Sequence, residues 1–440
     1  MMVTCGFGSR DLEGIFLEER PIRERCEARA FYVATETLSA VWLVLDFMDF
    51  DLAIVRKLKD ALVAATGVQP DHAHVVTTHN HGCSTCDRLN QELLCSLAGE
   101  CATNAKHGAR PAKMRHACIS LKEQVSYRRR VFVPEVGGTA TCFWGPAPAN
   151  GFDSSPFVEH YLSELGAGHL VCNGLAQTSR PAAPFASGDR RLFIVEFRAL
   201  DDTPLGSFVR FAAHAVCCNR PEYYSSDYPW HVRAEVAKVL GGIPLFFNGP
   251  CADIAPGILD KASGGERWLG KLLATEAVRA ISSAEFAPLT EVEDTICRVS
   301  LPVRKEVLDN TVEVPGELPT VLAERKLFLE RQRLKSTLPF LRAKYLNGEL
   351  SPKETIEIEL GMLRLNNLKL LAFPGETFSS TAYTDDESVM TVTEHGRTVM
   401  YIPPDEERRL GGYESICSVT DFGAETILRD AAQKLIGLRR

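Results

Sequence analysis

Two histidines set two residues apart, His79-Asn80-His81, follow the β-branched run His74-Val-Val-Thr-Thr78. On an extended segment residues i and i+2 face the same way, so one imidazole could bind a metal while the other works beside it. The same pair also reads as a hydrogen-bonded polar turn. His214 closes a second apolar run, Phe208-Val-Arg-Phe-Ala-Ala213, where it is either a ligand or a satisfied core histidine. Pro374-Gly375-Glu376 puts a carboxylate just past a third, residues 368–373. A buried unpaired charge there is costly unless a cation meets it, although an acid in the first turn of a helix is the other reading. Two histidines and a glutamate form a ligand set of catalytic zinc that leaves one position for water.

The elements that must position these residues follow a βαβ grammar. Residues 40–45 are a short β-branched and aromatic run and read as a buried strand. From Leu52 to Thr66 apolar residues recur at Ile54, Val55, Leu58, Leu62 and Val63, with Gly67 as a stop, which predicts a helix. Residues 74–78 are the next strand, and a parallel pair follows from the crossover. The pattern recurs as a strand at 206–213, a helix at 229–240 and a strand at 244–247, with 368–373 and 398–402 as later strands. In such sheets ligands collect beyond the carboxyl ends of the strands; Asp46, His79 and His214 all fall there. Asp46 is therefore a candidate for orienting a ligand histidine, with a structural hydrogen bond as the equal alternative. Residues 135–160 and 174–190, rich in Gly, Pro, Ser and Ala, read as loops or lids. Residues 317–362 read as two or three charged surface helices, broken at Pro339 and at Asn347-Gly348. The fold class expected is α/β, with mixed sheets and flanking helices in a single domain over 1–440.

Composition excludes some partners. The net charge of −8 and the lack of any basic cluster longer than Arg128-Arg129-Arg130 argue against nucleic acid. The longest apolar stretch, 40–47, is interrupted by Asp46 and too short to cross a bilayer. No signal-peptide pattern opens the chain, so a cytoplasmic protein with reduced thiols is expected from its 14 cysteines. Cys83-Ser-Thr-Cys86, with no second such pair at zinc-ribbon spacing, reads as small buried residues more readily than as a metal site.

The order of five segments resembles the catalytic domain of the neutral, non-lysosomal ceramidase family from Gly6 to Leu438. They are Thr78-His79-Asn-His81, Phe211-Ala-Ala-His214, Phe247-Asn-Gly-Pro-Cys251-Ala-Asp253-Ile-Ala-Pro256, Phe373-Pro-Gly-Glu376, and Tyr401-Ile-Pro-Pro with Gly411-Gly-Tyr413-Glu414. The resemblance implies Zn2+ held by His79, His214, Glu376 and the phenol oxygen of Tyr401. It also implies His81 beside the metal as the proton-transfer group, and Arg129, taken from Tyr127-Arg-Arg-Arg130, with Tyr413 at the oxyanion. Cys251 and Asp253 are expected to touch the substrate. Read for themselves, the three arginines are equally a solvated edge strand, and Tyr413 a buried tyrosine with a satisfied hydroxyl.

The chain departs from that family in two ways. Ala255 stands where the family carries a serine before the proline, and the family's C-terminal β-sandwich domain is not expected here. Both weaken ceramide as the substrate and favour a small soluble amide cleaved by zinc-bound water. The same donors could serve a lyase, cyclase or acyl transferase, and a non-catalytic metal-binding protein is the third reading. The partners expected are a small-molecule substrate and copies of the chain in a homo-oligomer.

Overall fold

A computed structural model describes residues 3–83, 89–143, 151–165, 184–218, 222–257, 264–346, 354–382 and 384–437. Its centre is a nine-stranded mixed sheet. Along one path the strands run Ile243–Asn248, Pro204–Phe211, Arg191–Ala199, Arg110–Ser120, Thr4–Asp11, Glu27–Ala34, Ser39–Leu45 and Ala73–Thr77, with Ala287–Pro288 added beside Arg110–Ser120. The two expected βαβ units lie at opposite ends of this path. Ser39–Leu45 pairs in parallel with Ala73–Thr77, and Pro204–Phe211 with Ile243–Asn248. Their crossover helices are Leu52–Thr66 and Asp227–Leu240. The first is capped by the Asp51 side chain, which accepts from Ile54 N, and is stopped by Gly67 in the left-handed region at φ 73°. It buries Ile54, Val55, Leu58 and Leu62, the stripe its sequence dictates.

A second, four-stranded sheet runs Val292–Pro302, Thr355–Leu365, Leu368–Ala372, Val389–Val392. One face packs on the large sheet, where Phe31, Trp42, Val76 and Phe247 meet Leu363, Leu370, Met390 and Val392. The other face is covered by the helices Leu322–Leu341 and Ala424–Leu435, through Leu334, Leu338 and Leu428 against Ile356, Ile358 and Leu360. Helix, sheet, sheet and helix therefore stack as four layers.

Several expectations are corrected. The last part of 317–362 is not helix but the start of the strand Thr355–Leu365: Ile356, Ile358 and Leu360 are buried with Glu357 and Glu359 between them, a period of two. Pro339 does not break its helix, which continues to Leu341 and runs on into a wider helical turn at Arg342–Leu346; Asn347-Gly348 lies outside the described residues. The strand expected at 398–402 shrinks to Tyr401–Ile402, since Met400 takes φ 53°. The stretch 135–160 holds the strand Gly138–Thr141 and the start of the helix Ser155–Glu164, while 144–150 and 166–183 lie outside the described residues. Cys26 and Cys83 are joined as a disulfide, against the all-thiol expectation; Cys86 is outside the described residues. No described helix is long and apolar enough to cross a membrane.

Candidate metal centre

The two strand ends that carry the histidines are brought together by Asn248. Its Nδ2 donates to Thr78 O (3.2 Å) and Ala213 O (2.9 Å), and its Oδ1 accepts from Ala213 N (3.3 Å). Asn80 forms a bridge with Ala215, and His81 N donates to Ala215 O (3.1 Å). His79 sits at φ 54°, so the segment is not extended as expected. That left-handed residue costs conformational energy and turns the chain out of the strand. The two imidazoles still meet, Nε2 to Nε2 at 3.2 Å.

Glu376 arrives from the second sheet. Gly375 supplies the turn at φ 53°, and a Cβ there would lie 2.8 Å from Met400 O. Glu376 N then donates to Met400 O (3.0 Å), and Glu376 pairs in parallel with Tyr401. Glu376 Oε2 lies 3.3 Å from His79 Nε2 and 3.1 Å from His214 Nε2. The ligand-capable nitrogens of His79, His81 and His214 all lie within 4.8 Å of one another.

The hydrogen bonds on the far side of two rings settle which way their lone pairs point. His79 Nδ1 faces Met48 O (3.2 Å) and His214 Nδ1 faces Ile254 O (2.9 Å). A carbonyl can only accept, so each ring presents Nδ1–H outward and turns Nε2 inward, where it offers a lone pair whenever it carries no proton. Inward, those nitrogens meet a carboxylate oxygen. Acceptors converging in a buried site favour a cation, and two histidines with a carboxylate are a donor set that catalytic zinc accepts. Without an ion, a proton must fill that role. Burial opposes charge on His79, but the Glu376 and Glu394 carboxylates outweigh it and lift its pKa to about 9. Burial, then the Arg129 charge, holds His214 down to about 4. Burial holds His81 well below the usual histidine range, with His79 and His214 adding to the effect. Burial opposes the charged form of Glu376, yet His79 and His214 hold its carboxyl well below the usual range.

Of the three arginines, Arg129 is the one aimed at the site. Its Nη2 donates to Tyr401 Oη (2.9 Å) and its Nε to Glu414 Oε1 (2.8 Å). Arg130 donates to Glu414 Oε2 (2.8 Å), and Arg128 to Asp253 and Glu407. Burial first, then the Glu376 charge, pushes the Tyr401 phenol well above its usual pKa. The Tyr413 ring packs on Tyr401 at 5.6 Å between centroids.

Asp46 contacts no ligand histidine among the described residues. It forms a two-pronged pair with Arg233 (2.7 and 2.6 Å) and accepts from Glu27 N and Thr78 Oγ1. The carboxylate behind His79 is instead Glu394, 3.4 Å from Nδ1. Asp253 is fully buried, and its oxygens accept from Arg128, Ser379 N and Ser379 Oγ, which ties it to the arginine strand. Cys251 is likewise fully buried, a neutral thiol whose pKa burial and the nearby Glu376 push up. Sequence reasoning assigns no role to Glu394, Glu414 or Asn248. The last two lie inside segments that carry the family resemblance, which is a signal; Glu394 has none nearby.

No protein-family model and no curated sequence matches the chain. Among solved structures it is similar to the neutral ceramidase of Pseudomonas aeruginosa, with a TM-score of 0.64 at 16% identity over 100% of this chain and 74% of that one. It is also similar to a structure described as ceramidase complexed with C2, with a TM-score of 0.62 at 13% identity over 100% of this chain and 75% of that one. The layered sheets that carry His79, His214 and Glu376 thus have the neutral ceramidase fold.

Proposed function

We propose that this chain is a zinc-dependent hydrolase that cleaves the amide bond of a small soluble substrate. The observation that carries the reading is the convergence of His79 Nε2 and His214 Nε2 on Glu376 Oε2, a buried array that favours a cation. His79, His214 and Glu376 would hold the ion, with Tyr401, Glu376's register partner, as the fourth ligand. Zinc in such a site supplies a Lewis acid for a carbonyl and brings the pKa of a bound water toward ~7.

The chain's own residues do the rest. His81, held neutral by burial, has an Nε2 that can take a proton from the nucleophile and return it to the leaving nitrogen. Arg129, kept cationic and held in place by Glu414, is a fixed donor for the developing oxyanion, a task worth roughly 3 kcal/mol per donor. Tyr413, edge-to-face with Tyr401, bounds the space next to them. Ala255, which forms the strand partner of Tyr127, brings no hydroxyl, so the nucleophile in this reading is water.

Metal analysis tests the reading. About one zinc per chain is expected, falling at least tenfold in His79→Ala, His214→Ala and Glu376→Ala. Cleavage of simple N-acyl amines in 18O-labelled water should place the label in the acid product. Full zinc retention in all three variants would refute the site, and unlabelled product would refute hydrolysis.

A further inference from the structure

A cavity of about 310 Å³ is lined by Tyr413 and by the helix Leu322–Leu341, at the small end of the ~300–1,000 Å³ range of ligand sites. Helical spacing puts Lys326, Leu329, Glu330 and Arg333 on one stripe facing it. The charges along this wall are mostly matched. Lys326 Nζ pairs with Glu330 Oε1 (2.7 Å), which also accepts from Gly412 N (2.7 Å), and on the other wall His160 pairs with Glu164 (3.1 Å). Arg333 is different. Its guanidinium lies over the Tyr413 ring, 4.9 Å from the centroid, and among the described residues no carboxylate pairs with it. Phe143, Phe157, Leu165 and Ile416 add apolar surface to the wall, and Thr139, Thr141 and Tyr161 add hydroxyls.

We infer that this cavity receives the part of the substrate remote from the cleaved bond, and that this part bears a carboxylate which Arg333 recognises. The inference rests on the amide-hydrolase reading above. Tyr413 is the link: one neighbour is Tyr401 at 5.6 Å and another is the Arg333 guanidinium at 4.9 Å, so the guanidinium is no more than about 10.5 Å from the Tyr401 ring. A short apolar chain is long enough to cover that distance, with Phe143 and Leu165 among the apolar residues of the cavity. An arginine already stacked on an aromatic ring is held in orientation, and its planar fork matches a carboxylate in two-pronged fashion. Arg333 is thus a specificity-determining residue for an amide that carries an anionic end.

The test uses the zinc-loaded full chain and two paired probes, the mono-anilides of adipate and suberate and their methyl esters. The wild type should favour acid over ester in kcat/KM by roughly tenfold or more, the scale of one charge-assisted hydrogen bond. Arg333→Gln should bring that ratio close to one, and Arg333→Lys should restore part of it, with zinc content equal in all three. A ratio near one in the wild type, or an unchanged ratio in Arg333→Gln, overturns the inference. If no anilide is cleaved, the hydrolase reading fails on its own, and calorimetric binding of the adipate mono-anilide still decides about Arg333. Affinity at least fivefold weaker in Arg333→Gln supports the inference, and equal affinity or no binding to either protein overturns it.

Discussion

Glu414→Gln removes a charge without changing the shape of the side chain, and the structure fixes what that charge does. Glu414 is fully buried, and its two oxygens accept from Arg129 Nε, Arg130 Nη1 and Thr141 Oγ1, each at 2.8 Å. The neutral amide keeps one acceptor oxygen but turns an NH2 toward a guanidinium or the Thr141 hydroxyl. Two buried cations then lose their shared anion; Arg130 retains Glu407, whereas Arg129 is left with the neutral Tyr401 hydroxyl. Breaking a buried ion pair on one side costs about 3–5 kcal/mol. With an unfolding entropy of about 2.1 cal/mol/K per residue over 440 residues, that corresponds to a Tm lower by roughly 3–5 °C at pH 7. Calorimetry on matched wild-type and variant protein measures it. Because Glu414 positions Arg129 rather than any proposed ligand, the zinc content should not change, while kcat on a cleaved amide should fall about tenfold or more with KM less affected. A variant with wild-type Tm and kcat would refute the claim that Glu414 holds Arg129 in place.

A second buried network makes two predictions of its own. His395 Nε2 meets His74 Nδ1 (2.9 Å), and His74 Nε2 meets Asp294 (2.9 Å), which also takes Trp42 Nε1 (3.0 Å). Burial first, then His74, depresses the pKa of His395 to about 3. A histidine whose folded pKa lies below its unfolded ~6.5 contributes fully above that pH and loses its contribution as pH falls toward 3, about 2 kcal/mol between pH 7 and 5. Tm curves at both pH values should therefore differ less in His395→Gln than in the wild type, and equal slopes would contradict this. Gly361→Ala places a Cβ 2.9 Å from His395 Nε2 and 3.1 Å from His74 Nδ1, two ring atoms with no room to retreat. Overpacking of this kind costs about 1–3 kcal/mol, and an unchanged urea midpoint would count against it.

Sequence pattern locates the βαβ units well because their signals are local: the stripe of Leu52–Thr66 and its Gly67 stop lie within one stretch of chain. It fails at the strand Thr355–Leu365, where the alternation of Ile356, Ile358 and Leu360 is masked by the charge density of the preceding helix. The site is legible as residue types at strand ends, but not as a wiring diagram. Asp46 and Glu394 are both acids at strand ends, and nothing local says that Arg233 occupies the first while the second stands behind His79. That choice is made by the helix Asp227–Leu240 and by the turn after Val389–Val392, each far from its partner in sequence. Likewise the left-handed His79 is dictated by the bridge of Asn80 to Ala215, a long-range pairing.

The placement of the proposed ligands has a consequence for how the molecule holds together. His79 and His214 follow strands toward opposite ends of the large sheet, while Glu376 and Tyr401 belong to the chain that follows strands of the four-stranded sheet. Asn248 joins the two histidine segments to each other, but the contacts from Glu376 to both histidines are acceptor against acceptor unless a positive charge lies between them. An ion held by His79, His214 and Glu376 would therefore tie residues of both sheets together, and its binding energy would add to the packing of Trp42 and Val76 on Leu370 and Val392. A ligand that binds only the folded chain raises stability by about 2.7 kcal/mol when present at 100 times its Kd. For a site made from both sheets, that term acts on their docking. In this arrangement the charge that completes the proposed site also opposes separation of the layers that form it.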